Sequence, residues 1–284
     1  MAKNGSILLA IDTHNNHATI TALSKPSEPA NRLILLGASN LTMSLRLAIQ
    51  QMQYHCGAPS EVLAAVGHGR SYGQNSRVLL RELPAIINSG LWAQLTEREM
   101  RPTYAILTDI GNDILYGYSP AQILQWVAWC IERLQLHSAQ IVLSNLPILT
   151  IESLSEWRYQ LFRQVFYSSC QLSKAEVVHR ARAVHQGLIG LTANRQCVLC
   201  EQNPNWMGAD GIHYAYSKRS QPYHYFCAQF REITLSPENT APRLSYFRTW
   251  SEHPQFAYQK IWGKERICPQ PSGQLPDGTT VSLF

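Results

Sequence analysis

The stretch RLILLGASNLTMSLRLAIQQMQ, residues 32–53, decides the fold. It opens with a short apolar run that ends in Gly37, and its second half has apolar residues at helical spacing. Ser39 and Asn40, residue types that favour helix N-termini, lie between the two halves. The stretch therefore predicts a strand, a tight turn and a helix.

The same unit recurs along the chain. Further apolar runs without in-and-out alternation predict strands at residues 61–67, 103–111, 139–147 and 196–201. Helical spacing predicts helices over residues 76–90 and 119–137, one or two more within 152–186, and a closing helix over 217–230. Strands of this kind, separated by helices, form parallel sheets that are covered on both faces. We predict an α/β fold, a three-layer α/β/α sandwich with a mostly parallel, flavodoxin-like sheet.

The two ends of the chain differ from this repeating part. Residues 1–31 contain two short predicted strands, SILLAID and ATITAL, and a loop with two prolines. Residues 237–284 are rich in Pro, Gly and Ser and have few periodic apolar residues. We predict an N-terminal extension at 1–31, one main domain at 32–236 and a poorly specified C-terminal extension at 237–284.

Composition narrows the class of protein. Of 284 residues, 45% are hydrophobic and 15% charged, which excludes a disordered chain. The net charge of +5 comes from scattered basic residues, so we expect no nucleic-acid partner. No apolar stretch approaches the roughly 20 residues that span a bilayer, and the N-terminus does not resemble a signal peptide. We expect a cytoplasmic protein without a membrane span, and composition leaves its oligomeric state open.

The cysteines give little support to a metal site. Seven is an odd number, and most lie singly among apolar residues, which favours reduced thiols over a disulfide framework. Cys197 and Cys200 have a zinc-like spacing, but no second pair accompanies them and their apolar middle suits a strand. Glycine-rich phosphate or dinucleotide loops are also absent from the sequence. We therefore expect neither a metal nor a cofactor.

Polar residues follow several predicted strands at the point where each strand ends. They are Ser39 and Asn40, the stretch 68–73, the stretch 109–113 and the stretch 210–213. Ligands of parallel α/β sheets bind at this edge, where helix N-termini present free N–H groups. Together these segments have the residue types for a nucleophile, hydrogen-bond donors and a base.

Four blocks in these positions resemble a known family. LLGASNLT, VGHGRSYG, DIGNDILYG and DGIHYA are similar, in this order, to the four blocks of the SGNH, or GDSL-like, hydrolases, and they cover roughly residues 32–216. Any one block is weak evidence, whereas four in order at predicted strand ends are a strong signal. The resemblance implies an SGNH hydrolase-like domain and a serine ester hydrolase that acts through an acyl-enzyme.

The resemblance implies that Ser39 is the nucleophile, His213 its base and Asp210 the carboxylate that orients the imidazole. A serine hydroxyl needs a neighbouring proton acceptor, and imidazole titrates in the useful range. Asp210 precedes His213 by three positions, so a tight turn brings its carboxylate back to the ring. We expect Ser39 to cap the following helix as well, since Ser is a favoured residue there. Local chemistry offers other interpretations: Ser39 as a helix cap alone, Asp210 as an Asp-Gly turn residue and His213 as an ordinary histidine.

For the oxyanion hole the resemblance implies three donors: the N–H of Ser39, the N–H of a glycine in the second block and the amide of Asn112. The second block offers Gly67, Gly69 and Gly73. We choose Gly69, because the family pattern runs glycine followed by a polar pair. Asn112 as a plain turn residue is the competing interpretation.

Three further residues stand in or beside the blocks. Asp113 is expected to hold its loop rather than react. Arg70 either meets an anionic substrate or packs its stem along the surface. Many relatives have Asp before the serine, whereas this chain has Ala38, which removes a carboxylate that usually helps to fix the turn.

The substrate stays open at this level. Small acyl esters, O-acetyl sugars, lipids and thioesters are all candidates, so the expected partner is a small-molecule or carbohydrate ester. Four tryptophans are candidates for a sugar or acyl site, although aromatic residues at helical spacing more often belong to a core: Trp126, Trp129, Trp157 and Trp206. The alternatives are an O-acyltransferase with the same triad and a non-catalytic binding module on the same fold.

Overall fold

The computed structural model describes residues 28–78, 80–167, 169–193, 195–230 and 249–284. The strands, in chain order, are β1 Asn31–Leu36, β2 Ser60–Ala65, β3 Ser76–Val78, β4 Arg81–Leu83, β5 Thr103–Leu107, β6 Gln140–Ser144, β7 Cys197–Cys200, β8 Tyr258–Ile261, β9 Lys264–Ile267, β10 Gly273–Gln274 and β11 Thr280–Leu283. The α-helices are α1 Ser39–Cys56, α2 Leu91–Glu97, α3 Asn112–Leu115, α4 Pro120–Gln135, α5 Ile148–Ser153, α6 Glu156–Phe166, α7 Lys174–Ala193 and α8 Ser220–Cys227.

A seven-stranded sheet forms the centre of the molecule. Its strand order is β10-β11-β2-β1-β5-β6-β7, and all neighbours are parallel except β10 and β11. The five strands from β2 to β7 follow the order 2-1-3-4-5 in chain sequence, which is the flavodoxin-like order. Parallel strands need long crossover connections, and here helices supply them.

The core lies on both faces of this sheet. In β1 every residue is buried, and alternate side chains enter different clusters. Ile34 and Leu36 pack with residues of α2, α4 and α7, whereas Leu33 and Leu35 pack with residues of α1 and α8. A strand that is apolar on both faces is what a helix layer on each side requires. The predicted three-layer α/β/α sandwich is confirmed.

Most predicted elements of the repeating part are present. Strands at β2, β5, β6 and β7, the helix that begins at Pro120 and the closing helix at Ser220–Cys227 lie where the sequence predicts them. The two short strands predicted within residues 1–31 lie outside the described residues. Within the ranges that the structure does describe, no helix has both the length and the apolar character that a bilayer crossing requires.

The helix predicted over residues 76–90 is wrong. Ser76–Val78 and Arg81–Leu83 form an antiparallel pair, and a 3₁₀ turn at Ile86–Asn88 follows. A second, antiparallel sheet, ordered β3-β4-β8-β9, contains this pair. Strand preference depends strongly on the partner strand, and the partner of β4 is β8, about 180 residues further along the chain.

The C-terminal segment also differs from the prediction. Residues 249–284 are not a loose wrap, because β11 pairs in parallel with β2 over four residues. Val281 and Leu283 are buried in one core cluster and Phe284 in the other. The described part of the predicted extension therefore completes the main sheet, and its low periodicity reflects strands of only two to four residues.

Candidate active site

The four sequence blocks meet at the carboxyl edge of the main sheet. Ser39 is the first residue of α1 and follows β1, and Asn112 is the first residue of α3 and follows β5. The 66–73 loop follows β2, and His213 lies on the loop that follows β7. Parallel strands end at the same edge, so segments far apart in sequence come together there.

Ser39, His213 and Asp210 form a continuous hydrogen-bonded chain. The Asp210 Oδ2 atom lies 2.6 Å from His213 Nδ1, and His213 Nε2 lies 2.7 Å from Ser39 Oγ. Because Nδ1 faces a carboxylate and so carries the proton, Nε2 is the acceptor for the serine hydroxyl. The arrangement has the contacts of a Ser-His-Asp triad.

Asp210 has two functions at once. Its Oδ1 atom accepts hydrogen bonds from the main-chain N–H groups of Ile212, at 3.1 Å, and His213, at 2.9 Å. Gly211 adopts a φ of 75°, which the tight turn requires and which favours glycine. The interpretation of Asp210 as a turn residue is thus correct as well, because one oxygen holds the turn and the other holds the imidazole.

His213 and Asp210 each shift the pKa of the other. Burial favours the neutral imidazole, but the hydrogen bond and charge of Asp210 outweigh it and raise the pKa of His213 above its ordinary 6.5. Burial likewise acts to raise the pKa of Asp210, and hydrogen bonds from the ring and main chain of His213 hold that pKa below its ordinary value. The carboxylate is therefore ionised wherever the imidazole titrates.

The N-terminus of α1 is capped by Asp109 and not by Ser39. The Asp109 Oδ2 atom accepts from the N–H of Ala38 at 2.8 Å and from the N–H of Leu41 at 3.3 Å. Ala38 is the residue where many relatives have Asp. The carboxylate missing there is supplied from the end of β5, and the Ser39 hydroxyl remains free to contact His213. The expectation that Ser39 also caps the helix is wrong.

Asn40 links the nucleophile turn to the loop that carries His213. Its side-chain amide donates to Asp109 Oδ1 at 2.9 Å and to the carbonyl of Ile212 at 2.9 Å, and its Oδ1 accepts from the N–H of Tyr214 at 2.9 Å. Both neighbours of His213 are therefore tied to the residue that follows Ser39. Asp109 and Asn40 are polar residues at strand ends, and this position can be predicted from the sequence. Their contacts are visible only in the fold.

The proposed oxyanion donors lie in different settings. Asn112 and Ser39 line the same cavity, and among the described residues the Asn112 amide donates a hydrogen bond to the carbonyl of Arg70, at a long 3.4 Å. Gly69 adopts a φ of 63°, and its carbonyl accepts from Tyr116 at 2.6 Å. A side chain at Gly73 would overlap the Trp126 ring at 2.1 Å, so packing accounts for that glycine. The choice of Gly69 stays a prediction.

Asp113 and Arg70 both make hydrogen bonds that hold the 66–73 loop. Asp113 is fully buried and accepts from the Ser71 hydroxyl and from the Tyr72 N–H, as expected for a residue that holds its loop. Burial raises the pKa of Asp113 to about 6. Arg70 is also fully buried and donates to main-chain carbonyls, so both earlier expectations for it, an anionic substrate or a surface position, are wrong.

A cavity opens at Ser39 and His213. Beyond the triad it is lined mainly by apolar side chains of α3, α5, α6 and α7, with aromatic rings from Tyr159, Phe162, Phe166 and Tyr167. The Phe166 ring centroid lies 5.9 Å from that of His213. Trp126, Trp129, Trp157 and Trp206 are not among the described lining residues.

Comparisons with known proteins show structural likeness at low sequence identity. A member of the lipolytic protein G-D-S-L family from Veillonella parvula is 12% identical, with 71% of this chain and 98% of that chain covered and a TM-score of 0.48. TesA is 17% identical, with 69% and 94% covered and a TM-score of 0.41. The psychrotrophic esterase EstA from a Pseudoalteromonas species is 11% identical, with 70% and 94% covered and a TM-score of 0.40. No family model and no curated protein matches the sequence.

The fold is SGNH-like. This follows from the strand order of the main sheet and from the meeting of all four blocks at its carboxyl edge. The first block runs into the first turn of α1 and the third contains α3, so both place a polar residue at a helix N-terminus. An SGNH-like fold thus accounts for the positions of Ser39 and Asn112 that the sequence blocks predict.

Proposed function

We propose that the protein is a serine ester hydrolase that works through an acyl-enzyme on Ser39. The observation that carries the proposal is the hydrogen-bonded chain from Asp210 through His213 to Ser39, with both contacts under 2.8 Å. Ser39 and His213 are 174 positions apart, so local turn or capping chemistry does not account for this contact.

In the first step Ser39 Oγ attacks the carbonyl carbon of an ester. His213 Nε2 takes the hydroxyl proton and then gives it to the leaving alkoxide, so that an alcohol departs and an acyl-serine remains. Asp210 keeps the imidazole in the correct tautomer and stabilises the imidazolium that forms. Its pKa, held below the ordinary value, keeps it charged during this step.

The developing oxyanion needs preorganised donors. We assign this role to the main-chain N–H of Ser39, at the N-terminus of α1, to the side-chain amide of Asn112 and to the N–H of Gly69. Asn112 lines the same cavity as Ser39, and its amide makes a long hydrogen bond of 3.4 Å to a main-chain carbonyl, which supports its part. Removing one such donor typically costs about 10²–10³-fold in kcat.

In the second step water replaces the alcohol. His213 Nε2 removes a proton from the water, the hydroxide attacks the acyl carbonyl, and the ester bond to Ser39 breaks. The proton on His213 returns to Ser39 Oγ, and a carboxylic acid leaves. An O-acyltransferase would differ only in this step, where an acceptor alcohol takes the place of water. The apolar lining of the cavity favours this second candidate function, because it limits the access of water.

Turnover of p-nitrophenyl esters tests the proposal. Wild type is expected to hydrolyse at least one ester between acetate and octanoate, and Ser39→Ala and His213→Ala are expected to lose at least about 10³-fold in kcat. His185→Ala is the matched control, because His185 also contacts a carboxylate, Glu201 at 3.1 Å, but lies outside the cavity lining. Equal activity of Ser39→Ala and wild type on every ester would refute the proposal.

Product analysis separates hydrolysis from transfer. With an added acceptor alcohol, a hydrolase releases mainly the free acid, whereas a transferase gives mainly the new ester. A non-catalytic binding module would give neither product and would show no covalent adduct at Ser39 with an alkyl phosphonate.

A further inference from the structure

The inner part of the cavity is built by matching faces of two helices. Helix α6 contributes Tyr159, Phe162, Arg163 and Phe166, and helix α7 contributes Lys174, Val177, Val178 and Ala181. In both helices these positions are i, i+3, i+4 and i+7, which is one continuous face. This part of the cavity is therefore lined over two turns of each helix, and we call it the slot.

Part of the cavity wall belongs to the hydrophobic core. Ala181 is fully buried, and Ile114, Leu146, Tyr159 and Val177 are each at most 9% exposed. All five belong to the core cluster on one face of the main sheet and also line the cavity. A ligand that reaches these residues meets core side chains.

Three charged or polar side chains on the two helix faces contact main-chain carbonyls. Arg163 Nη1 lies 3.5 Å from the carbonyl of Leu172, and Lys174 Nζ donates to the carbonyl of Glu152 at 3.2 Å. The Tyr159 hydroxyl also donates to the Leu172 carbonyl, at 2.6 Å. A sugar hydroxyl placed here would lose its water partners with little in return, which is costly.

We propose that this slot binds the acyl chain of the substrate, and that the natural substrates are esters of medium-length hydrocarbon acids rather than acetyl esters. The inference rests on the proposed function and names its substrate class. A helix face from i to i+7 is about 10 Å long, which corresponds to an acyl chain of roughly eight carbons. The ester carbonyl then lies at Ser39 and Asn112, and the alcohol part remains on the solvent side, where polar groups keep their water.

The reaction steps are those of the proposed function, with no additional reactant. Ser39 Oγ forms a bond to the acyl carbon, the bond from that carbon to the alcohol oxygen breaks, and His213 carries the serine proton to the alcohol. Water then releases the acid. The chain in the slot undergoes no chemistry, and its burial contributes binding energy to each transition state.

Chain-length dependence in wild type is the first test. For p-nitrophenyl acetate, butyrate, hexanoate and octanoate, kcat/KM is expected to rise by on the order of 100-fold from acetate to octanoate, because each added methylene leaves water. Highest kcat/KM for acetate, with a fall at longer chains, would overturn the inference while the proposed function stood.

A pair of neighbouring substitutions on α7 is the second test. Val178 lines the slot and His179, the next residue, is exposed. Val178→Phe fills the slot and is expected to lower the octanoate-to-acetate ratio of kcat/KM by about tenfold or more. His179→Phe adds the same ring outside and should leave the ratio unchanged. Equal ratios for Val178→Phe, His179→Phe and wild type, with all three folded by circular dichroism, would overturn the inference.

Binding measurements keep the two proposals separate. In calorimetry with Ser39→Ala, octanoate is expected to bind and Val178→Phe in the same background to weaken that binding by about tenfold. Octanoate binding without Ser39-dependent turnover of any ester would refute the proposed function but support the slot. Ester turnover without octanoate binding or chain-length dependence would support the proposed function and refute the slot.

Discussion

At the scale of single residues, the two carboxylate oxygens of Asp210 have different roles. One holds the turn before His213 and the other holds the imidazole. The net effect on the ring is an elevated pKa, although burial alone would lower it. The charge of Asp210 therefore fixes the pH at which His213 becomes a base.

Asp210→Asn is expected to shift the acid limb of the pH–rate profile. Activity needs neutral His213, so in wild type kcat/KM falls as pH decreases through a pKa above 6.5. Without the carboxylate, burial dominates and lowers that pKa, which moves the acid limb to lower pH. The value of kcat should also fall by about 10³–10⁴-fold, as for other triads that lose the carboxylate. Hydrolysis measured from pH 4 to 9 checks both effects.

Glu201→Gln is the matched control for that profile. It removes the carboxylate of the other His-carboxylate contact, at His185, outside the cavity lining. Its acid limb should coincide with that of wild type. An acid limb that does not move in Asp210→Asn would show that the ionisation governing activity is not that of His213.

Asn40→Leu is expected to lower kcat with little change in KM. Leucine is the residue after serine in the Gly-Asp-Ser-Leu form of the block. Here it would remove two hydrogen bonds that join the turn at Ser39 to both neighbours of His213, and a third to Asp109. Poor alignment of nucleophile and base affects the chemical step, and a loss of about 10²-fold is expected.

A comparison of two readouts separates alignment from folding in Asn40→Leu. Loss of stability alone lowers the folded fraction and leaves kcat per folded molecule unchanged. We expect kcat per active site, counted by phosphonate titration, to fall, and Asn40→Asp to retain less activity than wild type because a second carboxylate would face Asp109. Full kcat per titrated site in Asn40→Leu would contradict this role.

At the scale of secondary-structure elements, the helix starts differ in how they are capped. Ser119 and Gln122 form a capping box at the start of α4, with Pro120 as the first helical residue. Ser155 precedes α6, but among the described residues its hydroxyl has no hydrogen-bond partner. The same residue type thus has different energetic value at two helix starts.

Ser119→Ala is expected to lower the free energy of unfolding by about 1 kcal/mol, because it removes a capping hydrogen bond that water replaces only in part. Ser155→Ala, the matched control, should change the free energy by less than about 0.5 kcal/mol. Urea unfolding followed by circular dichroism measures both. Equal losses in the two variants would show that the capping box contributes nothing measurable.

At the scale of the whole molecule, Arg70 joins three distant parts of the fold. It donates to the carbonyl of Val66 at 2.9 Å and of Pro84 at 3.2 Å, and to the carbonyl of Phe284. These lie at the end of β2, after β4 and after β11. The second block of the active site is thus anchored to the strand that completes the main sheet.

Arg70→Met is expected to lower the free energy of unfolding by about 3 kcal/mol, because three main-chain carbonyls, two of them in buried hydrogen bonds, lose a donor while the aliphatic stem is kept. Arg182→Met is the control: Arg182 contacts Glu152 at 2.6 Å but is 62% exposed, so its loss should be below about 1 kcal/mol. Chemical unfolding curves give both values. Similar losses for both variants would mean that Arg70 is not an anchor.

The sequence by itself determined the layered α/β architecture and the candidate triad. Apolar runs without alternation report burial on both faces, and this signal is local in sequence, so β1, β2, β5, β6 and β7 were predictable. Ser39, Asp210, His213 and Asn112 stand in short blocks next to strand ends. Because parallel strands end at one edge, their meeting followed from the fold class.

Only the tertiary structure decided the remaining features. Segment 76–90 became strands because β8 pairs with it from far along the chain, and no local periodicity records such a partner. The same holds for the entry of β11 into the main sheet, for Asp109 as the cap of α1 and for the buried position of Arg70. Each depends on contacts between residues more than 60 positions apart or on burial that several elements create together, whereas patterns in sequence report only a residue's own neighbourhood.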